Sequence, residues 1–183
     1  MRRSRGTSGT EAPALEVIRM RRRHLRGVMA IERQVYARPW SPSLFAAEIT
    51  NQSDRCYLVA RAHKEVVGYG GLVCYGDEAH ITNVAVDPMH QRHRVATRLL
   101  VELIARSIEM GTRAVSLEVR VTNWRAQRIY ARFGFRPVGI RRNYYQEVSE
   151  DALIMWTDDV RTEAYRRRLD EIEASLTESV RLA

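Results

Sequence analysis

Along the chain the spacing of apolar and polar positions changes period repeatedly, and each change marks an element. Leu15 to Met20 alternates as a first strand. Leu25, Val28, Met29, Ile31, Glu32 and Val35 then recur at helical spacing until the pattern breaks before Pro39. In PWSPSLFAAEI, Ser41 is a candidate N-cap with Pro42 at the first helical position, which predicts a short helix to about Asn51. Cys56 to Arg61 and Glu65 to Cys74 read as antiparallel strands around Ala62 to Lys64, and Ala79 to Val86 as a third after the turn Gly76-Asp77. The stripe Val95, Leu99, Leu103, with Val101, Ile104 and Ile108 beside it, predicts a long helix stopped by Gly111. Ala114 to Val119 follows as a strand, Asn123 to about Phe133 as a helix, and Arg136 to Tyr145 and Ala152 to Trp156 as two closing strands.

The order β-α-α-β-β-β-α-β-α-β-β predicts an α/β (α+β) domain: a mixed central sheet flanked by helices, with strand–helix–strand crossovers in its later part. A chain of 183 residues suits one such domain, here residues 14–157. Residues 1–13, MRRSRGTSGTEAP, lack periodicity and read as a disordered basic tail. Residues 158–183 read as a helical extension. Asp158 or Asp159 can cap it, and Tyr165, Leu169, Ile172, Leu176 and Val180 share one side, which must cover either the domain or a second chain in an oligomer.

Charge matters through its location. The formal net charge is +8, but +6 of it falls between Met1 and Arg26, where eight arginines face Glu11 and Glu16. Lys64 is the only lysine, an arginine bias that a GC-rich genome produces by itself. Both an RNA or ribosome contact through the N-terminal arm and a merely solvated tail fit this charge. Cys56 and Cys74 stand alone in strand-like runs and read as buried thiols. His90 and His93 lie three residues apart without further ligands at useful spacing, so no metal site is expected. No run of about 18 apolar residues occurs and no apolar leader follows the N-terminal arginines, which points to a soluble, cytoplasmic protein with no membrane contact.

Candidate chemistry gathers in two stretches. NVAVDPMHQRHRVATRLL, Asn83 to Leu100, runs from a strand through a proline turn into a helix, whose unsatisfied first N–H groups make a seat for phosphate. In the later strand, Val115, Leu117 and Val119 share one face while Ser116, Glu118 and Arg120 share the other, so Glu118 is aimed away from the first. Ala126, Tyr130 and Gly134 stack along one side of the next helix, which Asn123 would cap. Spacing alone favours a solvated carboxylate paired with an arginine for Glu118 and a packed core ring for Tyr130.

Three motifs then coincide. Gln91 to Ala96 lines up with Q/R-x-x-G-x-G/A, and LEVRVTNWRAQRIYARFGF (Leu117 to Phe135) with L-E-V-R-x-x-N-x-x-A-x-x-x-Y-x-x-x-G-F. In this order and spacing they resemble the GNAT acetyltransferases. The third motif, IRRNYY (Ile140 to Tyr145), is similar to the signature of the RimI-type branch, which acetylates the N-terminal alanine of a ribosomal protein. The resemblance covers Leu15 to Trp156 and implies the GNAT acyl-CoA N-acyltransferase fold with acetyl-CoA as co-substrate. It implies that backbone groups of Val84, Ala85 and Val86 pair with the pantetheine arm. It also implies that Arg92, His93, Arg94, Val95, Ala96 and Thr97 hold the pyrophosphate, and that Asn123 contacts the cofactor. Glu118 would be the general base and Tyr130 the general acid, while Trp40, Tyr144 and Tyr145 would border the groove for a basic peptide N-terminus. Glu147, Glu150 and Asp151 lie in the following turn, where they could attract such a peptide.

One position departs from the family pattern: Arg94 stands where the loop glycine belongs. An arginine there either swings outward or crowds the pyrophosphate, and the sequence leaves both open. Two competing readings are acetylation of a small amine and a non-catalytic acyl-CoA or RNA-binding module. IRRNYY favours a peptide acceptor over the first, and Glu118 together with Tyr130 favours catalysis over the second.

Overall fold

The computed structural model describes residues 15–51 and 53–181, with side chains described as far as residue 177. Seven strands form one sheet: β1 (Glu16–Arg19), β2 (Arg55–Ala62), β3 (Glu65–Tyr75), β4 (Glu78–Val86), β5 (Ala114–Arg120), β6 (Arg136–Tyr145) and β7 (Glu150–Trp156). Their spatial order is β1-β2-β3-β4-β5-β7-β6, and every neighbouring pair is antiparallel except β4 and β5. The helices are α1 (Leu25–Val35), α2 (Pro42–Thr50), α3 (Val95–Glu109), α4 (Trp124–Arg132) and α5 (Glu163–Arg181). Both the mixed sheet and the predicted element order are therefore observed.

Alternation along the strands divides the interior into two cores, because successive side chains point to opposite faces. On one face Leu58, Leu72, Ile81 and Leu117 pack with Leu99 and Leu103 of α3 and with α5. On the other, Tyr57, Val59 and Tyr69 pack with Val28 and Ile31 of α1 and Phe45 of α2. Of the predicted stripe of α3, Val95, Leu99, Val101, Leu103 and Ile104 are buried and Ile108 is half-buried; Leu99, Leu103 and Ile104, with Leu100 beside them, are fully enclosed, each contributing about 2 kcal/mol by removal from water. Glycines set how near α3 lies to the sheet. A Cβ at Gly68 would stand 2.8 Å from Val95 Cγ1, and one at Gly70 would stand 2.9 Å from Leu103 Cδ1. This close approach fixes where α3 begins, next to the end of β4.

Local signals act as expected at several ends. Ser41 Oγ accepts the Leu44 N–H at 3.1 Å, and Gly111 closes α3 with φ of 91°. Two expectations need correction. Neither Asp158 nor Asp159 caps α5: Asp159 accepts the Arg161 N–H at 2.9 Å and pairs with the Arg161 and Arg113 side chains. With that carboxylate engaged, the helix starts a turn later, and Thr162 Oγ1 accepts the Tyr165 N–H at 3.2 Å. Cys56 is buried as expected, but Cys74, near the end of β3, is only half-buried. Tyr165, Leu169, Ile172 and Leu176 of α5 are buried in this chain's own core, so α5 covers α3 and the sheet. The tail at residues 1–13 and the side chain of Val180 lie outside the described residues. Among those residues no helix is long and apolar enough to cross a membrane, and no group of three or more metal-ligating side chains occurs.

Candidate active site

The parallel pairing of β4 with β5 runs only from Glu78 opposite Ala114 to Ile81 opposite Leu117, although the strands continue to Val86 and Arg120. A register shift between Gly71 and Leu72 of β3 leaves Thr82 as the extra residue of a bulge in β4, where its hydroxyl donates to the Gly71 carbonyl at 3.2 Å. Beyond the bulge the two strands share no pairing, and a cavity of about 370 Å³ is lined by both. Val84, Ala85 and Val86 remain paired to β3 on one side only. The Tyr36 hydroxyl reaches the Val84 carbonyl at 3.4 Å.

Past β4, Asp87 Oδ1 accepts the Met89 N–H at 2.8 Å and tightens the proline turn. Arg92 and Arg94 both take positive φ, 69° and 58°. The N–H of Arg98 bonds the Arg94 carbonyl at 3.0 Å, so the N–H groups of Val95, Ala96 and Thr97 stand ahead of the helical ladder. Arg92, His93 and Arg94 have exposed side chains, whereas Val95 and Thr97 are buried, so this turn offers backbone groups to a ligand. A strand edge with one free side that leads to a helix start fits an acyl-CoA: amides of the arm suit the edge, and a diphosphate suits the N–H groups. Arg94 itself swings outward, donating from Nη1 to the Ser175 carbonyl of α5 at 2.5 Å.

Glu118 has a side chain only 8% exposed. Its Oε2 lies 2.9 Å from His80 Nε2 and its Oε1 3.3 Å from an Arg141 guanidinium nitrogen, while His80 Nδ1 is 3.0 Å from Ser116 Oγ. The hydrogen bond from His80 outweighs desolvation and, with the charges of His80 and Arg141, holds the carboxyl below its ordinary range. Tyr130 lines the same cavity with its edge toward Phe135, ring centroids 5.8 Å apart. Burial pushes its phenol well above the ordinary value, and the neighbouring Tyr145 adds to the shift. Asn123 caps α4, Oδ1 accepting the Ala126 N–H at 3.1 Å, and also lines the cavity.

Trp40, Tyr144 and Tyr145 meet at this cavity too. The two tyrosine rings stand edge-on at 5.1 Å, with the Arg120 guanidinium over Tyr145 and that of Arg141 over Tyr144. Burial is the main cause that pushes the Tyr145 phenol up to about 12. The acidic turn is largely spoken for. Glu150 accepts the Thr122 N–H at 3.0 Å and its hydroxyl at 2.5 Å, and Asp151 accepts the Asn143 N–H at 2.8 Å and pairs with Arg142. Only Glu147 of the three lines the cavity.

Three groups were not apparent from the sequence, two that flank Glu118 and one that lines the cavity. His80 and Arg141 flank Glu118 because β4 lies beside β5 with His80 opposite Ser116, and β6 lies one strand further out. The alternation of Ala79 and Ile81 around a polar His80 was the available signal. Glu32 is the third. It is 1% exposed, its Oε1 accepts the backbone N–H of Trp40 at 2.8 Å, and its buried Oε2 has no hydrogen-bond partner among the described residues. Burial raises its pKa, and the Trp40 N–H opposes the rise. An acid on the apolar side of α1 was the sign of it.

The profile of the Acetyltransferase (GNAT) family matches residues 25–135. A Bacillus subtilis relative is 37% identical over 137 residues, covering 75% of this chain and 91% of its own length. The ribosomal protein bS18-alanine N-acetyltransferase of Escherichia coli strain K12 is 37% identical over 133 residues, which covers 68% of this chain and 84% of that one. The crystal structure of the E. coli ribosomal-protein-S18-alanine N-acetyltransferase superposes with a TM-score of 0.72 at 30% identity, covering 80% of this chain and 94% of that one. With its opened parallel pair, its turn of free N–H groups and these relatives, the chain belongs to the GNAT family of acetyltransferases.

Proposed function

We propose that this enzyme moves the acetyl group of acetyl-CoA onto the α-amine of a protein N-terminus, that of the alanine of ribosomal protein bS18, by direct attack in a ternary complex. The observation that carries the reading is the placement of Glu118 and Tyr130 on one cavity, beside the unpaired stretch of β4. Acetyl-CoA supplies the thioester carbonyl under attack. The edge at Val84, Ala85 and Val86 would receive amides of the cofactor's arm, and the N–H groups from Arg92 to Thr97 would receive its diphosphate.

Glu118 takes the proton of the attacking amine, directly or through one water. An N-terminal amine has a pKa near ~8, so a useful fraction is neutral at neutral pH, and an ionised carboxylate beside it stabilises the charge that grows on nitrogen. His80 and Arg141 hold that carboxylate in place and ionised. Tyr130, kept protonated by burial, gives its phenolic proton to the departing thiolate. Trp40, Tyr144 and Tyr145 wall the entry for the first residue of the acceptor, and Glu147 remains as the acid that a basic peptide would meet.

Peptides incubated with the protein and acetyl-CoA, read by mass spectrometry, test this. Acetylation confined to the α-amine of a peptide beginning Ala-Arg is the expected result. A protein that binds CoA but modifies no peptide would place the acceptor among small amines instead.

A further inference from the structure

Arg94 is an L residue held at φ of 58° and ψ of 17°, in the left-handed region where glycine is at ease and an arginine is strained. Its side chain leaves the turn and ends on α5, at the main-chain carbonyl of Ser175. Two other arginines meet it there. Arg98, one turn further along α3, donates to the Leu176 carbonyl at 3.5 Å, and Arg132, at the end of α4, reaches Ser175 Oγ at 3.5 Å. The segment they grip is anchored independently: Tyr165, Leu169, Ile172 and Leu176 are buried, and the Tyr165 hydroxyl donates to the Phe133 carbonyl at 2.8 Å. This helix lies wholly beyond residue 135, where the family match ends.

We infer that α5 is a brace for the diphosphate turn, with Arg94 as the positioning residue that ties the turn to it. The inference rests on the proposed cofactor role of that turn and extends it to a segment outside the matched domain. Three consequences follow from the geometry. The guanidinium is drawn off the face of the turn that presents the N–H groups of Val95, Ala96 and Thr97, so the missing glycine does not obstruct them. The turn is fixed before a ligand arrives, which lowers the ordering cost of binding. Among the described residues the three guanidinium groups meet neutral acceptors on α5, two carbonyls and a hydroxyl, which leaves their charge available to favour an anion beside the turn.

The experiment uses the full chain as wild type, Arg94→Gly, Arg94→Ala and Arg94→Lys, with two readouts. Backbone 15N relaxation of the free proteins reports the turn directly: order parameters at residues 92–97 should fall clearly below wild type in the Gly and Ala variants. Those of Leu99 to Ile104 should be unchanged, and Arg94→Lys, whose ammonium can reach the same carbonyl, should restore most of the order. Calorimetric titration with CoA, which cannot react, reports the consequence: affinity should fall about 5- to 10-fold in the Gly and Ala variants and recover in the Lys variant. The Gly variant is decisive because it relieves the strained φ while removing the tie. Wild-type order parameters at the turn in Arg94→Gly, or CoA affinity equal to or above that of wild type, would overturn the inference. Failure of the wild type itself to bind CoA would overturn the proposed cofactor site instead, and the brace would then be decided by the order parameters alone.

Discussion

Glu118 and Glu32 border the same cavity from different layers of the fold, one on the sheet and one on α1, and their surroundings push them in opposite directions. Glu118 meets His80 and Arg141 and is held below its ordinary pKa, whereas Glu32 has, among the described residues, only a backbone N–H as hydrogen-bond partner and is raised by burial. Burial is common to both, so the partners decide the sign. Two acids with opposed environments in one site divide the work between them. Glu118 is a fixed anion suited to a growing positive charge. Glu32 fastens the turn that carries Trp40, with one oxygen left over.

Removing the anion should have the largest effect. Glu118→Gln is expected to lower kcat/KM for an alanine peptide by about 10³-fold, and a loss under tenfold would break the contrast at its stronger end. Tyr130→Phe should follow with about 10²-fold, seen mainly in kcat if the phenol acts on the leaving group as proposed. His80→Gln should cost about tenfold, since it removes the nearer partner of Glu118 while Arg141 remains.

Glu32→Gln keeps an oxygen for the Trp40 N–H and should change the rate least, within about threefold, so stability against pH is its informative measurement. A raised carboxyl contributes stability that is present below the unfolded pKa and lost as pH rises through the folded one. Glu32→Gln should therefore gain in Tm relative to wild type between pH 4 and pH 7. Glu118 has the reverse sign: its lowered pKa contributes stability above the unfolded value, near 4.5, which is lost as pH falls through the folded one. The Tm deficit of Glu118→Gln should be largest at pH 7 and shrink toward pH 4. Equal pH trends in the two variants would erase the distinction between the two acids.

What the sequence made legible was local or carried by a motif. The Ser41 cap, the Gly111 stop and the stripe of α3 depend on neighbours within a turn or two, and all three are observed. Glu118, Tyr130, Trp40, Tyr144 and Tyr145 line one cavity, and the roles that the family motifs imply for them belong to the proposed function. His80 was hidden because its meaning depends on the parallel register of β4 with β5, a contact across 38 positions that no local pattern encodes. Arg94 was ambiguous for the same reason, since the carbonyl that draws it outward belongs to residue 175. Thr162 displaced Asp159 as a cap once Arg113 and Arg161 had engaged that carboxylate.

The most direct test is the pH dependence of kcat/KM for an Ala-Arg peptide between about pH 5.5 and pH 10, in wild type and in Glu118→Gln. One rising limb with a midpoint near ~8, the pKa of the acceptor amine, is expected in both proteins. The Glu118→Gln curve should lie about 10³-fold lower, and neither curve should fall before about pH 10, because burial keeps Tyr130 protonated. A second limb near pH 5 to 6 that is present in wild type and absent from the variant would show Glu118 titrating in that range, and would contradict a carboxylate held ionised by His80 and Arg141.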